Sequence, residues 1–274
     1  MHDYKIPKID FFGVGTSRSG STWLASCLAE HPEIFIPKAK ELHFFRKRRY
    51  FYPGGKISPL GVHYLRKYFK TESDQYVRGE ITPSYLLYPF ALKRIKKNYP
   101  ESKIICILRD PVERAYSHYR FLYSNKGKEM SESFEEALEG KFYNKYVNLS
   151  LYSEKISYIK ENFDQSNVKI LLYDSLKSNP DSIIKETYRF LGVSTYFIPS
   201  SLSKYIHISH SSRENAPDNR NYKNQLLTLA ERTENFDGTN ISCDRKKSIF
   251  YKYFYRDIER LEDIMGIDLD QWKP

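Results

Sequence analysis

One stretch near the start of the chain, residues 9–22, constrains the fold more than any other. It reads IDFFGVGTSRSGST, an apolar run followed by a loop of small polar residues, and apolar side chains recur at helical spacing from Trp23 onward. A strand, a small-residue loop and a helix start in this order predict a phosphate-binding loop. Gly15 and Gly20 let the backbone N–H groups turn inward, and the helix dipole favours an anion.

The loop fits the frame G-x-x-x-x-G-K-[ST] with one difference, because Ser21 stands at the lysine position and Arg18 supplies a cation inside the loop. The missing lysine argues against ordinary ATP or GTP hydrolysis, and we identify no acidic strand end that would hold Mg²⁺. A strand-to-helix turn without a ligand is the alternative. The hydroxyl donors of the loop are Ser17, Ser19, Ser21 and Thr22.

Composition indicates a globular protein with a preference for anions. The 274 residues are 40% hydrophobic and 16% aromatic, and the formal net charge is +10. This length allows one large domain or a domain with an appendage, and we favour a single domain over residues 1–274. The charge favours an anionic ligand, with nucleic acid as a rival partner.

The three cysteines indicate neither a disulfide framework nor a metal site. Cys27 falls in the apolar helix stripe and Cys106 in an apolar run, so we expect both to be core residues, and Cys243 lies far from either. The polar N-terminus does not resemble a signal peptide, and no apolar run is long enough for a membrane span. We therefore expect a cytoplasmic protein without a metal.

The segment KAKELHFF, residues 38–45, contains the polar trio Lys40, Glu41 and His43 between apolar neighbours. If the segment is extended, Glu41 and His43 project to the same side, where a carboxylate and an imidazole could take a proton from a hydroxyl. A solvated loop with an ordinary histidine is the alternative. The basic run at 46–49 is either a solvated face or a guide for a charged acceptor.

The remaining pattern predicts an α/β protein with a P-loop-type three-layer fold, in which helices flank a central parallel sheet. Residues 197–224 are polar and hard to assign, and we expect a lid or substrate loop there. Beyond the first strand, predicted strands lie at 34–36, 77–81, 103–108 and 168–173. Predicted helices lie at 61–69, 90–98, from Pro111, and at 130–138, 151–163, 181–191 and 246–265.

A second anion site is predicted where the apolar run KIICIL ends in Arg109-Asp110-Pro111. Open α/β sheets bind ligands at the carboxyl ends of their strands, and Ser117 follows two turns into the next helix. A guanidinium and a hydroxyl suit a second phosphate. A local Arg109–Asp110 ion pair at the helix start is the alternative.

Four motifs together resemble sulfotransferases that use 3′-phosphoadenosine 5′-phosphosulfate (PAPS). They are TSRSGST, KELHFF, GEITPSYL and LRDPVERAYSHY, in that order, over residues 9–192. The resemblance is closest to the heparan sulfate N- and 3-O-sulfotransferase branch and its bacterial relatives, which implies a bacterial protein. It also implies PAPS as co-substrate and 3′-phosphoadenosine 5′-phosphate (PAP) as product.

The resemblance assigns Glu41 as the general base, His43 as a second polar catalytic residue and Arg18 as the cation at the leaving oxygen. Because a guanidinium shuttles protons poorly, Arg18 is a doubtful general acid. Ile81 stands where heparan-type enzymes have a lysine, and residues 211–213 are our substitute for their cysteine-bracketed Lys-Gly-Arg loop. The implied donor-binding residues are Ser17, Arg18, Ser19, Gly20, Ser21, Thr22, Arg109, Ser117 and Arg213.

The resemblance thus implies transfer of a sulfuryl group to a hydroxyl or amine of a carbohydrate or of a natural-product or carrier-bound intermediate. We expect a small-molecule, saccharide or carrier-bound acceptor, no nucleic acid and no membrane span. Residues 9–192 form the expected core of the sulfotransferase domain, with a lid and C-terminal helices over 193–274. A P-loop nucleotide kinase and a basic nucleic-acid-binding protein are the rival functions.

Overall fold

The computed structural model describes residues 5–70, 76–126, 133–205 and 241–274. The strands are β1 (Phe11–Gly15), β2 (Ile34–Phe35), β3 (Val77–Ile81), β4 (Lys103–Leu108) and β5 (Val168–Leu172). The helices are α1 (Ser21–Ala29), α2 (Pro59–Tyr68), α3 (Pro89–Asn98), α4 (Pro111–Lys126), α5 (Phe134–Glu139), α6 (Tyr143–Tyr146), α7 (Ser153–Asn162), α8 (Tyr173–Ser178), α9 (Pro180–Leu191), α10 (Cys243–Tyr253) and α11 (Tyr255–Met265).

The five strands form one parallel sheet in the order β2-β3-β1-β4-β5, flanked by helices. This confirms the predicted α/β fold class. β1 is central and every one of its residues is buried, since strands pair on both sides of it. Its Phe11 lies beside Gly79 of β3, where an added Cβ atom would collide with the phenyl ring. Glycine at position 79 therefore makes room for the ring of the central strand.

Most predicted elements lie within two residues of those observed. The prediction for 103–108 matches β4, and α9 ends at Gly192, whose φ of +83° closes the helix. Of the helix predicted over 130–138, residues 130–132 lie outside the described residues, and α5 begins at Phe134. The helix expected over 246–265 is two helices, because Phe254 leaves helical geometry between them. Cys27 and Cys106 are buried as expected.

The chain forms two compact units. The first comprises Met1–Arg109 and Glu154–Leu202, and it holds the whole sheet. The second comprises Asp110–Ser153 and Ser203–Pro274. No helix among the described residues has both the length and the apolar character needed to cross a membrane.

The second unit contains two polar anchors, the buried Arg114 and the half-buried Asp257. Arg114 of α4 is fully buried and donates to Ser150 Oγ at 2.5 Å and to the carbonyl of Tyr146 at 2.6 Å. Asp257 of α11 accepts the N–H of Tyr152 at 2.5 Å. Buried polar groups are costly unless they are bonded in this way, so these contacts fix the packing of the second unit.

Candidate active site

The loop between β1 and α1 presents the open start of a helix. Gly20 occupies the N-cap position with φ +83°, a left-handed conformation that glycine adopts without strain. Gly20 has no side chain to cap α1, and the first turn of α1 carries no acidic residue. The first N–H groups of a helix lack intrahelical partners, so this end of α1 suits an anion.

Two hydroxyl groups of the same loop support an anion site. Thr16 and Ser19 are fully buried, and their Oγ atoms have no hydrogen-bond partner among the residues that the structure describes. Buried hydroxyls without partners are uncommon and call for an explanation such as a ligand. The loop therefore fits a phosphate or sulfate group.

Arg109 lies at the end of β4, the strand that pairs with β1. Its Nη1 donates to the backbone carbonyl of Arg18 at 3.2 Å, and its guanidinium stacks over Tyr173 at 4.4 Å. Asp110 instead accepts the N–H groups of Val112 and Glu113 at the start of α4. The carboxylate thus caps the helix, while Arg109 contacts the phosphate loop.

Lys40, Glu41 and His43 form a chain of polar contacts that begins at the loop. Lys40 Nζ donates to Thr22 Oγ1 at 2.5 Å and lies 3.5 Å from Glu41 Oε1. Glu41 Oε2 lies 3.7 Å from His43 Nε2. The side chains of Glu41 and His43 remain 38% and 37% exposed, so an acceptor from solvent can reach both.

The segment that carries these residues is not extended, contrary to the arrangement considered from the sequence. Glu41 and His43 have φ of +59° and +50°, and a short 3₁₀ turn follows at Phe44–Arg46. Such left-handed geometry is strained for side-chain-bearing residues and persists only where the surroundings impose it. The two side chains approach each other through this turn and not through strand alternation.

Hydrogen bonds from the region around the end of β3 impose that conformation. The N–H of Glu41 donates to the carbonyl of Ile81 at 3.3 Å, and the N–H of His43 donates to Thr82 Oγ1 at 3.4 Å. The N–H of Phe45 donates to the Tyr85 hydroxyl at 3.3 Å. The motif that begins GEITPSY therefore holds the backbone of the motif KELHFF.

Two aromatic residues fasten the same segment to the core. Phe44 and Phe45 are fully buried directly after the polar pair. The ring of Phe45 packs edge-on against Phe12 of β1 at 5.3 Å, and that of Phe44 stacks on Tyr50 at 5.1 Å. Aromatic pairs of this kind add stability beyond the burial of their area. We refer to Phe44 and Phe45 as the aromatic floor.

Glu80 of β3 is a residue whose role the sequence pattern did not reveal. It is 2% exposed and accepts a hydrogen bond from Thr82 Oγ1 at 2.5 Å, and Thr82 in turn accepts from His43. Burial raises the pKa of Glu80 to about 7, although hydrogen bonds, that of Thr82 foremost, favour the carboxylate. An acidic strand end is thus present, but Glu80 is buried beneath the segment and engaged with Thr82.

Replacing Glu80 with glutamine should remove part of the pH dependence of stability. Because the pKa is raised from 4.5 to about 7, the folded state retains a proton that the unfolded state releases first. The free energy of unfolding should therefore fall as pH rises from about 4.5 to 7, by on the order of 3 kcal/mol, and level off above. Urea unfolding of both proteins at pH 5 and pH 7.5 measures the difference.

The matched control is Glu101→Gln, since Glu101 is an exposed residue of the same compact unit. That variant should keep the full pH dependence of the wild type. An unchanged pH dependence in Glu80→Gln would show that Glu80 does not titrate in this range.

The surroundings of His43 favour the neutral imidazole, because they lower its pKa. Burial lowers its pKa, and Arg46 and Lys47 lower it further, while Glu41 opposes the shift. Its Nδ1 lies 3.3 Å from Ser84 Oγ, and its Nε2 faces Glu41. A neutral imidazole in this position can orient the carboxylate or exchange a proton with it.

The basic run after the pair is partly built into the site. Arg46 donates to Ser84 Oγ at 3.1 Å and to the Tyr88 hydroxyl at 2.9 Å, and Lys47 donates to the carbonyl of Leu42 at 3.2 Å. Arg48 and Arg49 are exposed. Half of the run therefore supports the segment 40–45, while the other half faces solvent.

Two predicted donor-binding residues do not belong to the described part of the first compact unit. Ser117 lies on α4, in the second compact unit. Arg213 and the rest of the segment 206–240 fall outside the described residues. The contacts of the first unit bring together the loop, Arg109, Lys40, Glu41 and His43.

Two relatives with curated names share part of this sequence. The membrane-associated sulfotransferase kil1 of Dictyostelium discoideum is 34% identical over 133 residues, which cover 47% of this chain and 27% of that protein. The bifunctional heparan sulfate N-deacetylase/N-sulfotransferase 1 of Caenorhabditis elegans is 25% identical over 215 residues, 72% of this chain and 24% of that protein. The chain thus matches about a quarter of the length of each.

Solved structures share the fold. A sulfotransferase from Alicyclobacillus acidocaldarius superposes with a TM-score of 0.72 at 24% identity, covering 97% of this chain and 99% of that one. Mouse sulfotransferase SULT7A1, solved in complex with PAP, gives a TM-score of 0.56 at 19% identity, covering 92% and 85%. The sulfotransferase domain model matches residues 8–272. The resemblance inferred from the four motifs is therefore confirmed, and the chain belongs to the sulfotransferase domain family.

Proposed function

We propose that the protein transfers a sulfuryl group from PAPS to a hydroxyl or amine of an acceptor. The observation that carries this proposal is the contact of Lys40 with both Thr22 and Glu41, at 2.5 Å and 3.5 Å. It places a carboxylate suited to general-base work one side chain away from a phosphate loop. Family membership supports the same reaction.

In this proposal the loop holds the 5′-phosphosulfate of PAPS. The open start of α1 and the buried hydroxyls of Thr16 and Ser19 fit its oxygens. Arg109 and Ser117 bind the 3′-phosphate, an assignment that rests on the motif LRDPVERAYSHY. The PAP complex of the mouse relative supports PAP as product.

Chemically, the reaction is an in-line displacement at sulfur. Glu41 accepts the proton of the acceptor group as its oxygen or nitrogen bonds to sulfur. The bond from sulfur to the bridging oxygen breaks, and its electron pair stays on the 5′-phosphate of PAP. Arg18 and the loop N–H groups stabilise that charge, while neutral His43 orients Glu41.

The acceptor is a small molecule, a saccharide or a carrier-bound intermediate. Glu41 and His43 are more than a third exposed, which suits an acceptor that reaches the site from solvent. The name of the C. elegans relative includes heparan sulfate, which keeps a saccharide among the candidates. Carbohydrate, lipid, phenol and acyl-carrier acceptors together form the panel to be tested.

Calorimetry with PAP tests the donor, and labelled PAPS tests the reaction. The wild type should bind PAP at least tenfold more tightly than AMP, because PAP carries a second charged group for hydrogen bonding. With ³⁵S-labelled PAPS, one acceptor of the panel should become labelled without added metal. Equal affinity for PAP and AMP, or phosphate transfer from ATP and Mg²⁺, would contradict the proposal.

A further inference from the structure

Two positions at which related proteins have a lysine carry other residues in this chain. Ser21 occupies the loop position of the P-loop lysine, and Ile81 stands where the resemblance expects another lysine. Arg18 remains, but a guanidinium does not release a proton near neutral pH. A loop that holds a phosphosulfate therefore lacks an amine from either expected position.

Lys40 of the segment 38–45 supplies an amine beside the loop between β1 and α1. Its Nζ contacts Thr22 Oγ1, the last hydroxyl of the loop, at 2.5 Å, and Glu41 Oε1 at 3.5 Å. The side chain is 16% exposed, so little water competes for the amine. The next residue, Glu41, donates its N–H to the carbonyl of Ile81, so the segment runs alongside position 81.

We propose that Lys40 is a catalytic residue that replaces the missing loop lysine, with its ammonium bound to the bridging oxygen that leaves with PAP. This inference rests on the proposed sulfuryl transfer. As the bond from sulfur to that oxygen breaks and its electron pair moves to the oxygen, the Lys40 ammonium donates a hydrogen bond to the growing charge. The acceptor proton goes separately to Glu41.

The surroundings of Lys40 suit this role. Burial lowers its pKa, the carboxylate of Glu41 opposes that shift, and the guanidinium of Arg18 lowers the pKa further. An ammonium with a lowered pKa is a stronger hydrogen-bond donor and a better proton donor than an ordinary lysine. The contact with Thr22 holds the amine at the loop before a donor arrives.

Three variants and two measurements test the inference. Lys40→Met keeps most of the aliphatic stem and removes the charge, Lys40→Arg keeps the charge, and Lys38→Ala removes an exposed lysine from the same segment. Calorimetry with PAP and the kcat of labelled transfer are measured for each, after thermal unfolding has shown that each variant is folded.

We expect Lys40→Met to lower kcat about a hundredfold, the usual effect of losing one donor to a developing negative charge. Its affinity for PAP should fall by less than about tenfold, since the loop N–H groups remain. Lys38→Ala should match the wild type in both measurements. The kcat of Lys40→Arg should be at least tenfold higher than that of Lys40→Met.

The alkaline limb of the kcat profile separates a catalytic from a structural role. In the wild type, kcat should fall at high pH as Lys40 loses its proton, while in Lys40→Arg that fall should move to higher pH because a guanidinium stays charged. Wild-type kcat in Lys40→Met, or an unmoved limb in Lys40→Arg, would overturn the role of Lys40 alone. A wild type that does not bind PAP would overturn the proposed function and this inference with it.

Discussion

Replacing Glu41 with glutamine is expected to slow sulfuryl transfer by about a hundredfold or more and to leave PAP affinity nearly unchanged. The glutamine amide keeps the shape of the side chain but cannot accept the acceptor's proton, and losing a general base costs a factor of roughly 10² to 10⁴. Glu41 is separated from the loop by Lys40, so donor binding depends little on it. Single-turnover kinetics and PAP calorimetry measure the two effects.

Glu101→Gln is the matched control, because it makes the same chemical change at an exposed position of the same unit. It should leave both measurements at their wild-type values. Turnover of Glu41→Gln within a few-fold of the wild type would remove Glu41 from the chemistry. The base would then have to be sought elsewhere, with His43 as the next residue to test.

The second large effect is expected for Arg109→Met, which should weaken PAP binding by roughly a hundredfold while changing AMP binding little. A charge-assisted hydrogen bond from a guanidinium to a phosphate is about twice as strong as a neutral one, and methionine keeps only the stem. AMP lacks the 3′-phosphate, so its affinity does not depend on that contact. Calorimetry with both nucleotides gives the ratio.

The AMP measurement separates two roles of Arg109. The guanidinium contacts the carbonyl of Arg18 at 3.2 Å, so it also supports the phosphate loop. Equal losses of PAP and AMP affinity would mean that Arg109 only shapes the loop, and the 3′-phosphate assignment would fail. A selective loss of PAP affinity would support the assignment. Lys38→Ala should change neither affinity.

Local sequence pattern was sufficient for the sheet and for the strand-to-helix turn between β1 and α1. The run KIICIL is continuous and apolar because both faces of β4 are covered, and glycine at position 192 ends α9 where a left-handed residue is required. In the loop, the spacing of Gly15 and Gly20 predicted the strand-to-helix turn. Each of these features depends mainly on residues that are close in sequence, so it can be predicted from a single sequence.

The geometry of the segment 40–45 depends on contacts across about forty residues of sequence, so local pattern could not predict it. From the sequence we considered an extended segment for Glu41 and His43. Instead, the hydroxyls of Thr82 and Tyr85 accept backbone N–H groups of this segment and impose a turn. Glu80 was overlooked because a charged residue inside a strand has no periodic signature. The signal available in the sequence was that the predicted strand at 77–81, unlike the other strands, carries two charged residues, Arg78 and Glu80, and the structure shows that both are buried.

Some predictions rest on the sequence alone. The roles of Ser117 and Arg213, the single-domain organisation with a lid over 193–274, the cytoplasmic location and the lack of a metal all stay predictions. Ser117 lies on α4 of the second compact unit, and Arg213 lies outside the described residues. Calorimetric affinities of the variant Ser117→Ala for PAP and AMP test the predicted role of Ser117.

The aromatic floor has a consequence for how such a site changes over generations. Phe44 and Phe45 are core residues, packed on Tyr50 and Phe12, and they directly follow the pair Glu41 and His43. A mutation that shifts the pair must therefore disturb the packed interior, which proteins tolerate poorly. Exposed residues such as Arg48 and Arg49 carry no such constraint. Under the proposed function, new acceptor preferences should accordingly arise by drift at the periphery, while the pair that would handle the proton is inherited intact.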